Sequence, residues 1–210
     1  MLVPNSSIAP AAVTARRTFL AGAVGLALPS TASAARFTSV ILDPGHGGRD
    51  NGARWGGVSE KTLTLDTAKR VQKILTAKGI NTALTRTRDT TLGLGARAAK
   101  ANRYRSAIFV SIHFNAHLNR SITGIETFYM SSSGYSLASR IQGRLLKHIK
   151  TKNRGLKKSA SLAVLNKTRC TAALVECGFI SNSWERGRCN TSWYRQLVAK
   201  SIAEGIIAYR

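Results

Sequence analysis

The run Ala107-Ile108-Phe109-Val110-Ser111-Ile112 is almost wholly apolar and rich in β-branched and aromatic residues. A strand with one wet face alternates apolar and polar residues. A continuous run therefore points to a strand covered on both faces, the habit of a parallel sheet. Ala172-Ala173-Leu174-Val175 repeats the pattern and ends at Glu176. Phe37-Thr38-Ser39-Val40-Ile41-Leu42 is a β-rich run closed by the turn signal Asp43-Pro44-Gly45, and residues 80–85 and 124–130 read as further strands. Between them lie segments of helical period: 59–78 with Leu63, Val71, Ile74 and Leu75, then 96–104, then 135–150 with Leu137, Ile141, Leu145 and Ile149, and last 193–209. Strands and helices alternate without an internal repeat or linker. That order predicts a single α/β domain with a mostly parallel central sheet flanked by helices on both faces, and 210 residues suit one domain with a short extension.

The extension is at the N-terminus. Residues 1–35 contain no acid, carry Arg16-Arg17, run through an apolar stretch from Phe19 to Leu28, and then meet Pro29 and the small string Thr31-Ala32-Ser33-Ala34-Ala35. This is the basic, apolar, cleavable order of a secretory signal, and the paired arginines ahead of Phe19-Leu20 resemble a twin-arginine export signal. The alternative is an N-terminal core helix. The expected division is a cleavable signal over 1–34 and a working domain over 35–210, which places the product in the periplasm or cell envelope. In an oxidising compartment Cys170, Cys177 and Cys189 could form one disulfide with one thiol left over, or remain buried free thiols. No apolar run reaches the ~18–20 residues that a membrane span needs.

Lys and Arg number 32 against nine Asp and Glu, a formal net charge of +23, and the signal accounts only for Arg16 and Arg17. Bases gather at Arg97, Lys100, Arg103 and Arg105 and again between Arg140 and Lys158. Such a surplus suits electrostatic contact with an anionic wall or membrane surface. It is also the footprint of a nucleic-acid-binding module, but the export signal and the lack of a recognisable nucleic-acid fold argue against that partner. A surplus with no dedicated partner is the third reading. A monomer is expected.

With so few acids, the positions of the acids and histidines carry the chemistry. In parallel α/β sheets ligands gather at the carboxyl ends of strands. Asp43-Pro44-Gly45-His46-Gly47-Gly48 follows the first strand, His113-Phe114-Asn115-Ala116-His117 follows the apolar one, Glu176 ends another, and Glu60 opens the first long helix. Two imidazoles and a carboxylate from separate elements form the donor set of a catalytic zinc site, which leaves a position open. A further carboxylate would serve as general base, and burial at a strand end would raise the pKa of Glu176 for that task. Each residue also has an ordinary structural reading: a loop histidine, a first-turn glutamate favoured by the helix dipole, a glutamate paired with a nearby arginine.

The residue strings go further. Ile41-Leu42-Asp43-Pro44-Gly45-His46-Gly47-Gly48-Arg49-Asp50-Asn51-Gly52-Ala53 resembles the opening motif of the zinc-dependent N-acetylmuramoyl-L-alanine amidases. The resemblance continues through Ser59-Glu60-Lys61, Leu84-Thr85-Arg86-Thr87-Arg88-Asp89, Ser111-Ile112-His113-Phe114-Asn115-Ala116 and Gly124-Ile125-Glu126-Thr127-Phe128-Tyr129. It takes in Asn153-Arg154-Gly155-Leu156-Lys157, Leu174-Val175-Glu176-Cys177-Gly178-Phe179-Ile180-Ser181-Asn182 and Ile202-Ala203-Glu204-Gly205-Ile206, covering nearly all of 37–210. It implies one Zn2+ per chain on His46, Glu60 and His113, with Glu176 as the catalytic glutamate. The implied substrate is peptidoglycan, cut at the amide between N-acetylmuramic acid and the L-alanine of the stem peptide. Rival functions are a zinc peptidase acting on stem peptides and a binding module without catalysis.

Lesser roles stay open. Asp43 is expected to orient His46 by accepting its ring N–H. Asn115 holds substrate, orients a partner, or bonds its own turn. Glu126 sits in a second layer around the site, binds substrate, or makes a structural ion pair. His117 is a fourth ligand, a transition-state donor or an exposed loop histidine, the last preferred, and His148 in the basic helix is expected to be solvated. Many division amidases of the resembling family carry an extra helical segment that plugs the site. The stretch from Tyr129 to Gly155 has room for one helix only, so an open cleft is expected.

Overall fold

The computed structural model describes residues 1–2 and 36–210, and the expected export signal lies outside the described residues. From Ser39 the chain runs β1 (Ser39–Pro44), β2 (Arg54–Trp55), β3 (Val58–Ser59), α1 (Glu60–Ala77), β4 (Asn81–Leu84), α2 (Leu94–Ala101) and β5 (Ala107–Asn115). It continues through β6 (Ile125–Tyr129), α3 (Ser132–His148), β7 (Asn153–Lys158), α4 (Ala163–Asn166), β8 (Thr171–Phe179), α5 (Ser183–Cys189) and α6 (Ser192–Tyr209). Six strands form one sheet in the order β4-β1-β5-β8-β6-β7, and β2 and β3 make a small separate hairpin. β4, β1, β5 and β8 are mutually parallel. β6 lies antiparallel to β8, and β7 is parallel to β6. The sheet is mostly parallel, as the apolar runs predict.

The two-residue side-chain period of a strand sorts the core into two layers. Val40 and Leu42 of β1, Ile108, Val110, Ile112 and Phe114 of β5, and Ala173, Val175 and Cys177 of β8 point to one face. There they meet Leu63, Val71 and Leu75 of α1, Leu137, Ile141 and Leu145 of α3, and Val198, Ile202 and Ile206 of α6. The intervening Ile41, Phe109, Ala172 and Leu174 form the other, thinner layer with Ala101, Val164 and Leu165 from α2 and α4. Helices therefore cover both faces, but three long ones cover one and two short ones the other. Asp43, His113 and Glu176 have the parity of the thin side, and all lie in the carboxyl-terminal halves of their strands, Glu176 with three β8 residues still to follow. Function has room where cover is light.

Two of the three long helices, α3 and α6, begin at side-chain caps. Ser131 Oγ accepts from Gly134 N at 3.0 Å to start α3, and Thr191 Oγ1 accepts from Tyr194 N at 3.1 Å to start α6. α3 and α6 pack so closely that a Cβ on Gly205 would lie 2.6 Å from Ile141 Cα. Backbone cannot step aside as a flexible side chain can. Gly205→Ala is expected to cost about 1–3 kcal/mol through overpacking, read as a lowered urea midpoint, and an unchanged midpoint would refute the contact.

The hairpin of β2 and β3, the strand β7 and the short helices α4 and α5 are not foreseen by periodicity. β7 reads Asn153-Arg154-Gly155-Leu156-Lys157-Lys158 and is polar because it is an edge strand with little to bury. All three cysteines are free thiols, with Cys177 and Cys189 buried and Cys170 half-buried. Burial pushes the Cys170 thiol up to about 11 and raises the other two as well. Among the described residues, no helix is long and apolar enough to cross a membrane.

Candidate active site

The loop after β1 carries His46 and is fixed by two buried arginines. Arg97 donates to Pro44 O and to His46 O, both at 2.6 Å, and to Asp43 Oδ1 at 2.9 Å. Arg86 donates to Gly45 O at 2.8 Å and to Pro44 O at 3.1 Å. Asp89 accepts from Gly48 N at 2.6 Å and pairs with Lys61 at 2.9 Å. The string Thr85-Arg86-Thr87-Arg88-Asp89 thus clamps this loop. The clamp matters because His46 has φ +60°, a left-handed backbone that a β-carbon disfavours. Such strain persists where the surroundings over-determine it, and it gathers at functional sites. Gly45 is required for a different reason: a Cβ there would lie 2.3 Å from His113 Cε1.

Three donors converge at the top of the sheet. Glu60 begins α1 and reaches between the imidazoles, with Oε2 3.1 Å from His46 Nε2 and Oε1 2.9 Å from His113 Nδ1. Ligand atoms of His46, Glu60 and His113 all lie within 4.8 Å of one another, and they are the metal-type cluster among the described residues. Backbone N–H groups of Ala53 and Phe114 also donate to Glu60. Burial alone would push the Glu60 carboxyl up, but the hydrogen bonds from His113 and His46 outweigh it and hold it far below the usual range. Burial likewise draws His46 down, while Glu60 and Asp50 together hold it above its ordinary value. The pocket is built for an ionised Glu60 facing positive charge.

Glu176 stands beside this cluster. It is the cross-strand partner of His113 on one side and of Glu126 on the other. The register between β5 and β8 shifts just beyond this row, the kind of bulge that re-aims side chains near a site. Glu176 is only partly covered, yet its Oε2 atom is enclosed and has no hydrogen-bond partner. Burial raises its carboxyl well above the usual value, the nearby charges of Glu60 and Glu126 add to that, and Lys157 opposes it. Glu126 has no such freedom. Its Oε1 accepts from Asn115 Nδ2 at 2.9 Å, and its Oε2 accepts from Arg154 Nε at 3.1 Å and Lys157 Nζ at 2.6 Å. Of the alternatives for Glu126, the ion pair is the one formed. Asn115 thus orients a partner, Glu126, while its Oδ1 accepts from Ala116 N in its own turn.

Asp43 does not orient His46. It is fully buried, with Oδ1 bonded to Thr85 and Arg97 and Oδ2 to Ser111. His46 Nδ1 instead meets Asp50 Oδ2 at 2.8 Å. The tight Gly47-Gly48 turn, closed by a bridge between Gly47 and Asp50, brings this carboxylate back over the ring. The sequence signal was the turn itself, because a carboxylate just past two glycines can fold back on the residue before them. His117 is exposed, its Nδ1 accepting from Asn119 N at 3.0 Å, and it takes no part in the cluster. His148 is not simply solvated, since it bonds Glu204 Oε2 at 2.8 Å.

A cleft of about 370 Å³ opens beside His46 and His113 on the thin face, walled by Leu92, Leu94, Leu162, Val164 and Leu174. Apolar walls ending in a few converging polar groups are the usual form of a small-molecule or peptide site. Between β6 and β7 the chain holds α3 and its connecting turns, as the short spacing requires.

Residues 40–208 match the family described as N-acetylmuramoyl-L-alanine amidase. The chain belongs to that family. The N-acetylmuramoyl-L-alanine amidase LytC of Bacillus subtilis is 35% identical over 175 residues, which cover 81% of this chain and 35% of that protein. The chain thus spans about a third of LytC's length. AmiC2 of Nostoc punctiforme is similar in structure, with 38% identity and a TM-score of 0.78 over 81% of this chain and 96% of that one. An amidase from Clostridium difficile 630 gives 34% identity and a TM-score of 0.78 over 83% and 97%. The match spans the amidase-family sheet from β1 to α6, and so includes all four residues at the site.

Proposed function

We propose that this amidase-family domain hydrolyses peptidoglycan at the amide between the lactyl group of N-acetylmuramic acid and the L-alanine of the stem, using one Zn2+ held by His46, Glu60 and His113. The donors fit zinc: two imidazole nitrogens and a carboxylate oxygen converge, and His46 and His113 line the adjoining cleft. When bound there, zinc would supply Lewis acidity, polarising the scissile carbonyl and lowering the pKa of a water towards ~7. The chain's own residues do the rest. Asp50 accepts from His46 and fixes its ring, and the apolar walls seat the substrate beside it.

The observation that carries the reading is the enclosed, unpartnered Oε2 of Glu176, next to His113. A raised carboxyl is a base strong enough to take the proton of the attacking water and an acid able to give it up again. The water oxygen bonds to the lactyl carbonyl carbon, the carbon–nitrogen bond breaks, and Glu176 delivers the proton to the departing L-alanine nitrogen. The products are a muramic acid carboxylate and a stem peptide with a free amino terminus. Export under the twin-arginine-type signal over 1–34 would bring the monomeric domain to this substrate in the periplasm or cell envelope.

Digestion of purified peptidoglycan with the zinc-loaded protein tests this directly. Released stem peptides beginning with L-alanine are expected, lost on chelation and restored by zinc. Shortened stems still joined to muramic acid would show a peptidase and overturn the assignment.

A further inference from the structure

We propose that the groove along the outer side of α3 binds a linear polyol-phosphate polymer of the cell wall. The groove measures about 600 Å³ and is lined by Arg36, Ser136, Ser139, Arg140, Arg144 and Lys147. Arg140, Arg144 and Lys147 succeed one another at helical spacing, so their charges form a row about 10 Å long at 1.5 Å rise per residue. Gly143 leaves the helix surface between them open. α3 contains no acidic residue. Among the described residues none of these four cations has an ion-pair partner, whereas Arg70, Arg154, Lys157 and Arg195 all do. Glu204 on α6 lies within reach of Arg144's field, but its oxygens are engaged by His148 and Lys200.

The chemistry selects the ligand. Guanidinium forks match phosphate oxygens two at a time, and the serine hydroxyls supply further donors. A concave row of cations suits a chain lying along it. A membrane-binding helix needs an exposed apolar face, but Leu137, Ile141 and Leu145 of α3 are buried in the core and no aliphatic side chain lines the groove. Single-stranded nucleic acid needs stacking platforms. The groove offers a single aromatic, the half-exposed Tyr135, which meets the Tyr129 ring edge-on at 5.2 Å and is too little to stack a run of bases. α3 packs on the sheet face opposite the one that carries His113 and Glu176. A polymer bound there would hold the domain at the wall and leave the cleft open. This inference rests on the charge row and does not depend on the bond that is cut.

The test is fluorescence polarisation with a labelled poly(glycerol phosphate) of about ten repeats, in low and in physiological salt. The triple variant Arg140→Gln, Arg144→Gln, Lys147→Gln should weaken binding by about tenfold or more and flatten its salt dependence. The control Lys69→Gln, Lys73→Gln, Lys78→Gln removes the same charge from α1 and its C-cap and should change affinity by less than about twofold. Both variants should melt like the parent and hydrolyse soluble muropeptides at the parental rate. Equal losses in the two triples would overturn the site in favour of general charge. So would competition by inorganic phosphate, by phosphatidylglycerol vesicles or by an oligothymidylate that matches the polymer at equal phosphate concentration.

Discussion

Glu176→Gln should retain fold and metal while losing about 10²–10⁴-fold in turnover, the range expected when a general base is removed. The amide keeps the shape of the carboxylate but cannot take a proton from water, so the loss should fall on kcat and not on binding. Zinc content measured alongside activity separates this from ligand loss. Activity within tenfold of the parent would remove Glu176 from the mechanism. The same substitution has a second signature. Glu176 is raised in the folded, metal-free protein by burial and by Glu60 and Glu126. The unfolded chain therefore releases this proton first as pH rises, and stability falls from about pH 4.3 upward. The metal-free Gln variant should accordingly melt higher than the parent at neutral pH and no higher at pH 3. Under the proposed mechanism, the position trades stability for a poised base.

Arg97→Met should destabilise the protein by about 3–5 kcal/mol, because it leaves the Asp43 carboxylate buried without its counter-charge. Asp43 has no exposed surface, and Arg97 is 3% exposed. Thr85 and Ser111 hold Asp43 by hydrogen bonds but bring no charge. Arg97 also caps the carbonyls of Leu92, Pro44 and His46, so Leu92 and His46 lose this donor together and Pro44 keeps only Arg86. Urea denaturation reads the loss, and a change below about 1 kcal/mol would show that the pair contributes little. Adding Asp43→Leu should recover most of the stability, since an apolar pair avoids the buried charge. It should not recover zinc affinity. Without Arg97 on its carbonyl, His46 has lost one of the contacts that hold its left-handed backbone.

Much of this was legible in advance. The apolar runs at 107–112 and 172–175 announce buried parallel strands because covering both faces removes the need for alternation. Strand ends in such a sheet announce where His113 and Glu176 would stand. β7 was not legible, since Arg154 and Lys157 owe their place in the sheet to pairing with β6 and to Glu126, not to any periodicity. Asp43 and Asp50 show the same division. Both flank His46 in sequence and either carboxylate could bond its ring. The choice fell to Asp50 because Asp43 points down from β1 into Arg97, Thr85 and Ser111, which arrive from three other parts of the chain.

The sequence by itself determined the layers, the strand-end positions of the chemistry and the surplus of positive charge, because periodicity, turn residues and composition are local quantities, and its residue strings carried the resemblance to the family. Only the tertiary structure decided which carboxylate orients His46, which glutamate is neutralised and which is left unpartnered, and which cations line up without acids. Those outcomes depend on what each charge meets across the fold. Glu126 and Glu176 are the same residue type on neighbouring strands, directly opposite each other. One meets Arg154, Lys157 and Asn115; the other keeps an oxygen free beside His113, and that difference is why Glu176, not Glu126, is the base in the proposed mechanism.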